Sequence, residues 1–562
     1  MEKIKPKLFS VMKTYTKEQF VKDVVAGIIV AIIALPLSIA LALASGVTPE
    51  KGIYTAIIAG FVISFLGGSR VQIAGPTAAF ATIVAGIVAK NGMDGLIIAT
   101  VLAGIILIIM GFLRLGSLIK FIPYTITTGF TSGIAITIVV GQIKDFLGLS
   151  IVTEEPLIET VDKMKGVIRF IDTINWQAVI VGMVCLAILI IWPYINHTIP
   201  GSLIAVVVGI VMVKGLKMQV NTIGDLYEIS NKLPSFHMPA FSLKSIQVAL
   251  PNAFTIAILA AIESLLSCVV ADSMVNSKHR SNMELIAQGA GNIMSALFGG
   301  IPATGAIART AANVKNGGRT PIAGMVHSVT LLLILVVLMP YAALIPMPTI
   351  AAILFMVAYN MCEWRKFVNL CKTAPKSDII VLVTTFVLTV LFDLVVAIEV
   401  GMVLAAMLFM KRMSEVTEVE GWKYIDDDED DPDSISLRKV PEHTLVYEIS
   451  GPMFFGAADK ILNISVHSGD SCLVLRMRSV SAIDATALNS LQQLYSMCQK
   501  KKVELILSHV NEQPRRVMEK AGFIEKIGAD HLCGHIDEAL SLAEKLQEGK
   551  EEGKRTIRVP HH

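Results

Sequence analysis

The sequence predicts a multi-span α-helical membrane protein carrying a small α/β domain near its C-terminus, and three observations predict it. Of 562 residues, 54% are hydrophobic and only 17% are charged, whereas ordinary globular chains carry about 25% charged residues. From about Val24 to Met410 apolar runs follow one another across short polar breaks, giving roughly 14 candidate spans, several too short to cross alone. Beyond Arg412 the composition becomes that of a soluble chain. Net charge is +2, from 48 Lys and Arg against 46 Asp and Glu. No basic excess points to nucleic acid, and nucleic-acid binding is excluded as a class. The seven cysteines are scattered, odd in number and free of CxxC spacing, which reads as reduced structural thiols and no metal site.

Residues 1–22 form a basic N-terminal segment that runs into an apolar stretch with no small-residue cleavage site, so it is expected to be retained in the cytoplasm. Residues 23–413 make the membrane domain. Bases recur at its alternate breaks: Arg70, then Arg114 and Lys120, Lys278 and Arg280, Lys315 and Arg319, Arg365 to Lys376, and finally Lys411 and Arg412. That alternation places both termini in the cytoplasm. Residues 414–439 read as a linker whose acidic block, Asp426 to Asp433, stays extended by self-repulsion. In 440–548, HTLVYEISG, SCLVLRM and VELILSHV alternate with two helical patterns, as a small α/β domain requires. A charged tail, 549–562, follows.

Two places in the membrane domain break the helix rules in corresponding ways. In FLGGSRVQIAGPTAAF, Gly67-Gly68 precedes Gly75-Pro76-Thr77; in LFGGIPATGAIART, Gly299-Gly300 precedes Pro302, Thr304 and Gly305. Each leads into an apolar helix too short to span, the first entered from the cytoplasmic side and the second from outside. Irregular backbone at membrane depth is tolerated where it lines a cavity, and paired broken helices mark a transporter's binding site. Two helix N-termini facing each other near the midplane form an anion site without any cofactor. Arg309, in the first turn of the second short helix, either faces a counter-ion or wet cavity there or snorkels to an interface. Thr77, Thr304 and Thr310 either touch substrate or cap their helices.

In AFTIAILAAIESLLSCVVADS a single carboxylate, Glu263, interrupts an apolar helix, and an intramembrane acid is a functional hypothesis by default. It carries a coupling proton, coordinates Na⁺ with backbone carbonyls, or partners a buried base such as Arg309. Asp272 belongs to the mouth of the same helix, beside the Lys278 cluster. Asp393 and Glu399 read as structural.

These residues are familiar together. DVVAGIIVAIIALPLSIALALASGV, the GPTAAF break, KFIPYTITTGFTSGIA, ESLLSCVVADSM and GNIMSALFGGIPATGAIARTAANVKNGGRTPIAGMVH resemble the SulP family, bacterial relatives of the solute-carrier-26 anion transporters and prestin. The resemblance implies a membrane domain of two inverted seven-segment repeats, the uracil-permease-like fold of core and gate, in a multi-pass plasma-membrane (bacterial inner-membrane) protein. It implies a homodimer that moves a small anion such as sulfate, bicarbonate or a dicarboxylate by an elevator-like shift of the core. The substrate site it implies comprises Pro36 and Ser38 on the first segment, Thr77, Ala78 and Ala79 on the third, and Gly305, Ala308, Arg309 and Thr310 on the tenth. The coupling-ion residues it implies are Glu263 and Ser267. Na⁺-dependent bicarbonate transporters of the family carry Asp where this chain has Glu263 and Thr where it has Ile307, which weakens Na⁺ coupling and favours H⁺. Leu37 is apolar where many relatives are polar.

The C-terminal domain resembles a STAS domain, in which Asp484 and Thr486 fall on the loop that carries a phosphorylated Ser in anti-sigma-factor antagonists. Here they either cap a helix or serve a cytoplasmic regulator. No Walker motif appears, which disfavours an ATP-driven pump, and the reading is of a transporter and not an enzyme. Its runners-up are a Na⁺-dependent bicarbonate symporter and an uncoupled anion channel or exchanger. A nucleobase permease and a pure sensor built on the STAS domain fit less well.

Overall fold

The computed structural model describes residues 4–117, 123–152, 157, 159–195, 200–239, 241–392, 394–421, 439–467 and 469–556. Lys120, Asp393 and the acidic block Asp426 to Asp433 lie outside them. The chain divides into two compact units, 1–403 and 404–562.

The membrane unit opens with a short helical turn at Leu8–Val11. Its long helices are α1 (Lys17–Ala44), α2 (Pro49–Leu66), α3 (Ala78–Phe112), α4 (Tyr124–Leu147), α5 (Trp176–Ile195) and α6 (Gly201–Gly215), then α7 (Leu243–Val275), α8 (Ser281–Leu297), α9 (Ile307–Lys315), α10 (Pro321–Ala342), α11 (Met347–Cys362), α12 (Lys376–Leu391) and α13 (Leu394–Val416). Helix α3 is broken at Gly92, whose φ of 69° and ψ of −174° only glycine adopts readily, so its first part is a half-helix. With α3 counted as two, these are fourteen helical segments among the described residues, beside the shorter amphipathic helices Thr160–Arg169 and Trp364–Thr373.

Local chemistry places the ends. Thr16 caps α1 by accepting from the Gln19 amide at 3.2 Å, and Ser242 and Ser245 form a reciprocal capping box on α7. Proline occupies the first turn of α2, α10 and α11, where its missing N–H costs nothing. Between α2 and α3, and between α8 and α9, the chain is extended. There β1 (Ala74–Gly75) pairs antiparallel with β2 (Thr304–Gly305), Ala74 opposite Gly305 and Gly75 opposite Thr304. Eight helices among the described residues are long and apolar enough to cross a membrane.

The second unit begins within α13 and is a sheet of β3 (Glu418–Gly421), β4 (Thr444–Ser450), β5 (Cys472–Ser479), β6 (Glu504–Ser508) and β7 (Leu532–Cys533), in that order. β3 runs antiparallel to β4, and the remaining neighbours are parallel. The two-residue period sorts β5: Leu473 and Leu475 pack with Leu488, Leu491 and Leu494 of α14 (Ala485–Lys501), whereas Cys472 and Val474 pack with Ile536, Ala539 and Leu540 of α15 (Ile536–Thr556). The composition places 418–421 in the linker, but it is an edge strand, because Val419 packs onto the same core. Thr417 just before it donates to the Pro452 carbonyl at 2.7 Å.

Asp484 is the N-cap of α14, accepting from the Ala487 amide at 2.8 Å, and its other oxygen accepts from the Phe455 amide at 2.8 Å. Capping therefore falls to Asp484 alone. Thr486 is exposed and makes no side-chain hydrogen bond among the described residues, since it already lies inside the helix, past the N-cap position. No disulfide joins any of the seven cysteines, five of which are buried.

Candidate functional site

The extended backbone at the two breaks needs hydrogen-bond partners, since buried N–H and C=O groups left unpaired are costly. Side chains supply them, many across the two halves of the fold. Glu284 of α8, fully buried, accepts from the Gly68 and Ser69 amides at 2.8 and 3.2 Å. Asn313 of α9 donates to the Val71 carbonyl at 2.9 Å, and the Thr310 hydroxyl accepts from the Ile73 amide at 3.0 Å. Gln72 donates to the Ser264 carbonyl at 3.0 Å and accepts from the Cys268 thiol at 3.2 Å. At the second break Asn292 clasps both backbone groups of Ala303, at 2.8 and 2.9 Å. Thr55 of α2 accepts from the Ile301 amide at 2.7 Å.

With the breaks held, α3 and α9 start close to each other and neither is capped by a side chain. Thr77 occupies the N-cap position of α3, yet its hydroxyl turns to Glu263 and donates at 2.8 Å to Oε2. Thr304 donates to the Ala260 carbonyl at 3.2 Å. Of the three threonines, only Thr77 is directed at an ionisable group, and the hydroxyls of Thr304 and Thr310 serve the scaffold.

Arg309 is 2% exposed, which removes the snorkelling alternative. Its Nη2 donates to the Ser38 hydroxyl and to the Pro76 carbonyl, both at 3.3 Å, so α1 and the first break meet the tenth segment at this guanidinium. Its Nη1 is buried without a hydrogen-bond partner among the described residues. Gly75 makes room for it: a Cβ there would lie 2.3 Å from Nη1. Gly305 is required for another reason, since its Cβ would fall 1.6 Å from Gln72 Nε2. Pro36 and Ser38 are buried in α1, Ala78 and Ala79 are buried at the start of α3, and Ala308 is exposed beside Arg309.

The structure does not join Glu263 to Arg309. Among the described residues no ion pair connects them, because Glu263 is directed to Thr77 and Arg309 to Ser38 and Pro76. Ser267, one turn beyond Glu263, is fully buried and lies 3.5 Å from the Thr310 hydroxyl. Helix α7 thus addresses both half-helices. Asp272 binds His279, through the backbone amide and through Nδ1, both at 2.7 Å, and not Lys278. Glu399 is exposed.

The sequence reading overlooked Glu284, Gln288 and Asn292, although their spacing of four marks one polar stripe on an otherwise apolar helix. It also overlooked Gln72, Asn313, Asp23 and His327, the last fully buried with both ring nitrogens unpartnered among the described residues.

Fourteen segments, two breaks that pair with each other ahead of short helices, and a buried guanidinium between them with one nitrogen unpartnered among the described residues define a membrane transporter. Residues 20–385 match the model of the Sulfate permease family, and residues 434–539 match the STAS domain. The chain belongs to the sulfate permease family of anion transporters, whose members are not enzymes. It is 39% identical over 94% of its length, and 98% of the relative, to YvdB of Bacillus subtilis (strain 168), a candidate sulfate transporter by name. It is 30% identical, over 93% of this chain and 94% of the relative, to the bicarbonate transporter BicA of Picosynechococcus sp.. Among solved structures, the transmembrane domain of a cyanobacterial BicA superposes with a TM-score of 0.61 at 28% identity, covering 70% of this chain and 98% of that one. The murine Solute Carrier 26 family member A9 anion transporter, in its inward-facing state, shares the fold at a TM-score of 0.86 and 19% identity, over 96% and 94% of the two chains.

Proposed function

We propose that the chain is a secondary active transporter that holds a small anion between the uncapped starts of α3 and α9, under Arg309, and couples its movement to a proton carried by Glu263. The observation that carries this reading is Arg309 Nη1, a buried donor beside the Gly75-Pro76 break with no partner among the described residues. A buried cation left unpaired is expensive, and an anion in front of it removes that cost. The first-turn amides of Ala78, Ala79, Ile307 and Ala308 add further donors and the positive ends of two helix dipoles. Pro36 and Ser38 close the third side.

Among the described residues Glu263 has one hydrogen-bond donor, Thr77, at the N-cap of α3. A proton arriving on Glu263 therefore alters the same turn that would face the anion, which gives symport a physical link. An elevator-like shift of the core, a homodimer, cytoplasmic termini and a plasma-membrane location belong to the same reading, supported by the alternating bases and the family. Na⁺ coupling is the second reading, and the Ser267 and Thr310 hydroxyls favour it by lying near each other within the same helix contact. Sulfate and bicarbonate are the substrates suggested by the names of YvdB and BicA. The STAS unit is read as regulatory.

The test is uptake of labelled sulfate, bicarbonate and fumarate into proteoliposomes under an inward H⁺ or an inward Na⁺ gradient. Proton-driven uptake of one anion, with Glu263→Gln still binding that anion but losing the drive, supports the reading. Uptake driven by Na⁺ alone, or a pH dependence that survives in Glu263→Gln, overturns the coupling assignment and moves it to Ser267 and its neighbours.

A further inference from the structure

At the end of the membrane unit where the chain begins, the N-terminal segment folds back over the helix ends. Lys7 donates to the Lys278 carbonyl at 2.7 Å, and its amide donates to the Gly67 carbonyl at 2.9 Å. Arg280 reaches the Lys5 carbonyl at 2.7 Å and the Ser10 hydroxyl at 2.9 Å. Under this strap lies a cavity of about 290 Å³, lined by Arg70, Arg319, Thr14, Tyr15, Thr16 and Thr320 among others.

Two guanidinium groups line it against a single neighbouring carboxylate, Asp23, which leaves an excess of positive charge. The Arg70 side chain makes no hydrogen bond and no ion pair among the described residues, and its Nε is buried. Arg319 uses Nη1 on the Val314 and Gly318 carbonyls at 2.8 Å and leaves Nε and Nη2 without a partner among the described residues. The buried acid beside the cavity, Asp23, already has its hydrogen-bonding capacity filled. It accepts from the Tyr15 hydroxyl, the Gln19 amide group, the Arg319 and Thr320 backbone amides and the Thr320 hydroxyl. Burial and the Asp23 carboxylate push the Tyr15 phenol up to about 12, so it stays a neutral donor. Burial, then Arg280 and Arg70, hold the Lys7 ammonium below its usual range, as an excess of positive charge would.

We propose that this cavity is a second anion site, separate from the transport site, that binds a phosphate-type oxyanion between Arg70 and Arg319 and thereby clamps the N-terminal strap onto the membrane unit. Two guanidinium forks match a tetrahedral oxyanion, and the hydroxyls of Thr14 and Thr16 supply shorter-range polar contacts from the strap itself. Phe9, Met12, Phe20 and Val21 on the same segment are exposed. The phosphate is therefore either a free ion or the headgroup of a lipid whose tails lie along those residues.

The experiment is hydrogen exchange of residues 8–20 in the full chain, titrated with inorganic phosphate in phosphatidylcholine nanodiscs, and repeated without phosphate in nanodiscs containing phosphatidylglycerol. Saturable protection is expected in wild type and in Arg309→Gln, which removes the transport-site cation. In Arg70→Gln the half-protecting concentration should rise about tenfold or more, the effect of losing one charged hydrogen-bond partner. The Arg70 side chain makes no hydrogen bond or ion pair among the described residues, so this variant removes no such contact of the fold, and Arg319→Lys supplies an independent check. Protection by phosphate in phosphatidylcholine assigns the free ion, and protection by phosphatidylglycerol alone assigns the headgroup; Arg70 dependence in either arm supports the site. Protection that is unchanged in Arg70→Gln, that disappears in Arg309→Gln, or that occurs in neither arm overturns it.

Discussion

The two breaks, 67–77 and 299–306, are equivalent in position and unequal in chemistry. The first ends at Thr77, which offers a hydroxyl to the carboxylate Glu263; the second leads directly into a guanidinium, Arg309. The first is held mainly by α8 and α9, through Glu284, Thr310 and Asn313, and the second by Asn292 with Thr55 of α2. An inverted repeat supplies the same backbone device twice, and the side chains then divide the labour. One half holds the acid's partner and the other the base.

The comparison breaks first at the charges. Arg309→Gln should weaken anion binding about a hundredfold, because it removes a buried charged donor worth about 1.5–3 kcal/mol per hydrogen bond; isothermal titration with the transported anion measures this. Binding unchanged in that variant would mean that the second break does not face substrate. Asn292→Leu tests the scaffold instead. It leaves the Ala303 amide and carbonyl unpaired at about 1–3 kcal/mol each, so the melting temperature should fall well before the anion affinity changes.

The paired glycines sharpen the contrast. Gly305→Ala drives a methyl into Gln72, cuts its bond to Ser264 and should cost about 1–3 kcal/mol of stability. Gly75→Ala displaces the guanidinium end of Arg309 and should lower anion affinity more than it lowers the melting temperature. Equal effects of the two substitutions on both readouts would erase the distinction between a scaffold glycine and a site glycine. The smallest effect expected lies in the other unit. Asp484→Ala removes an N-cap worth about 1 kcal/mol and should speed amide exchange in the first turn of α14, with uptake unchanged.

Much of the site was legible before any coordinates. Gly-Pro and Gly-Gly pairs inside apolar runs announce broken helices, and an isolated Arg309 or Glu263 stands out because hydrocarbon admits few charges. The stripe Glu284, Gln288, Asn292 was equally visible at helical spacing. The end of the first half-helix at Gly92 was marked too, because Lys90, Asn91 and Asp94 interrupt the apolar run there and an Asn-Gly pair favours a positive φ.

Sequence alone therefore determined the membrane class, the two breaks, the charged residues beside them and the soluble α/β unit, all of which follow from composition and local periodicity. Which residue meets which was decided only by tertiary structure. Glu263 meets Thr77 and not Arg309, Arg309 meets Ser38 and Pro76, and Gln72 fills the space that Gly305 leaves. Those pairings join residues as much as 271 positions apart. They arise because every backbone group freed at a break must find a partner in a medium without water, a condition met only when the two halves have closed on each other.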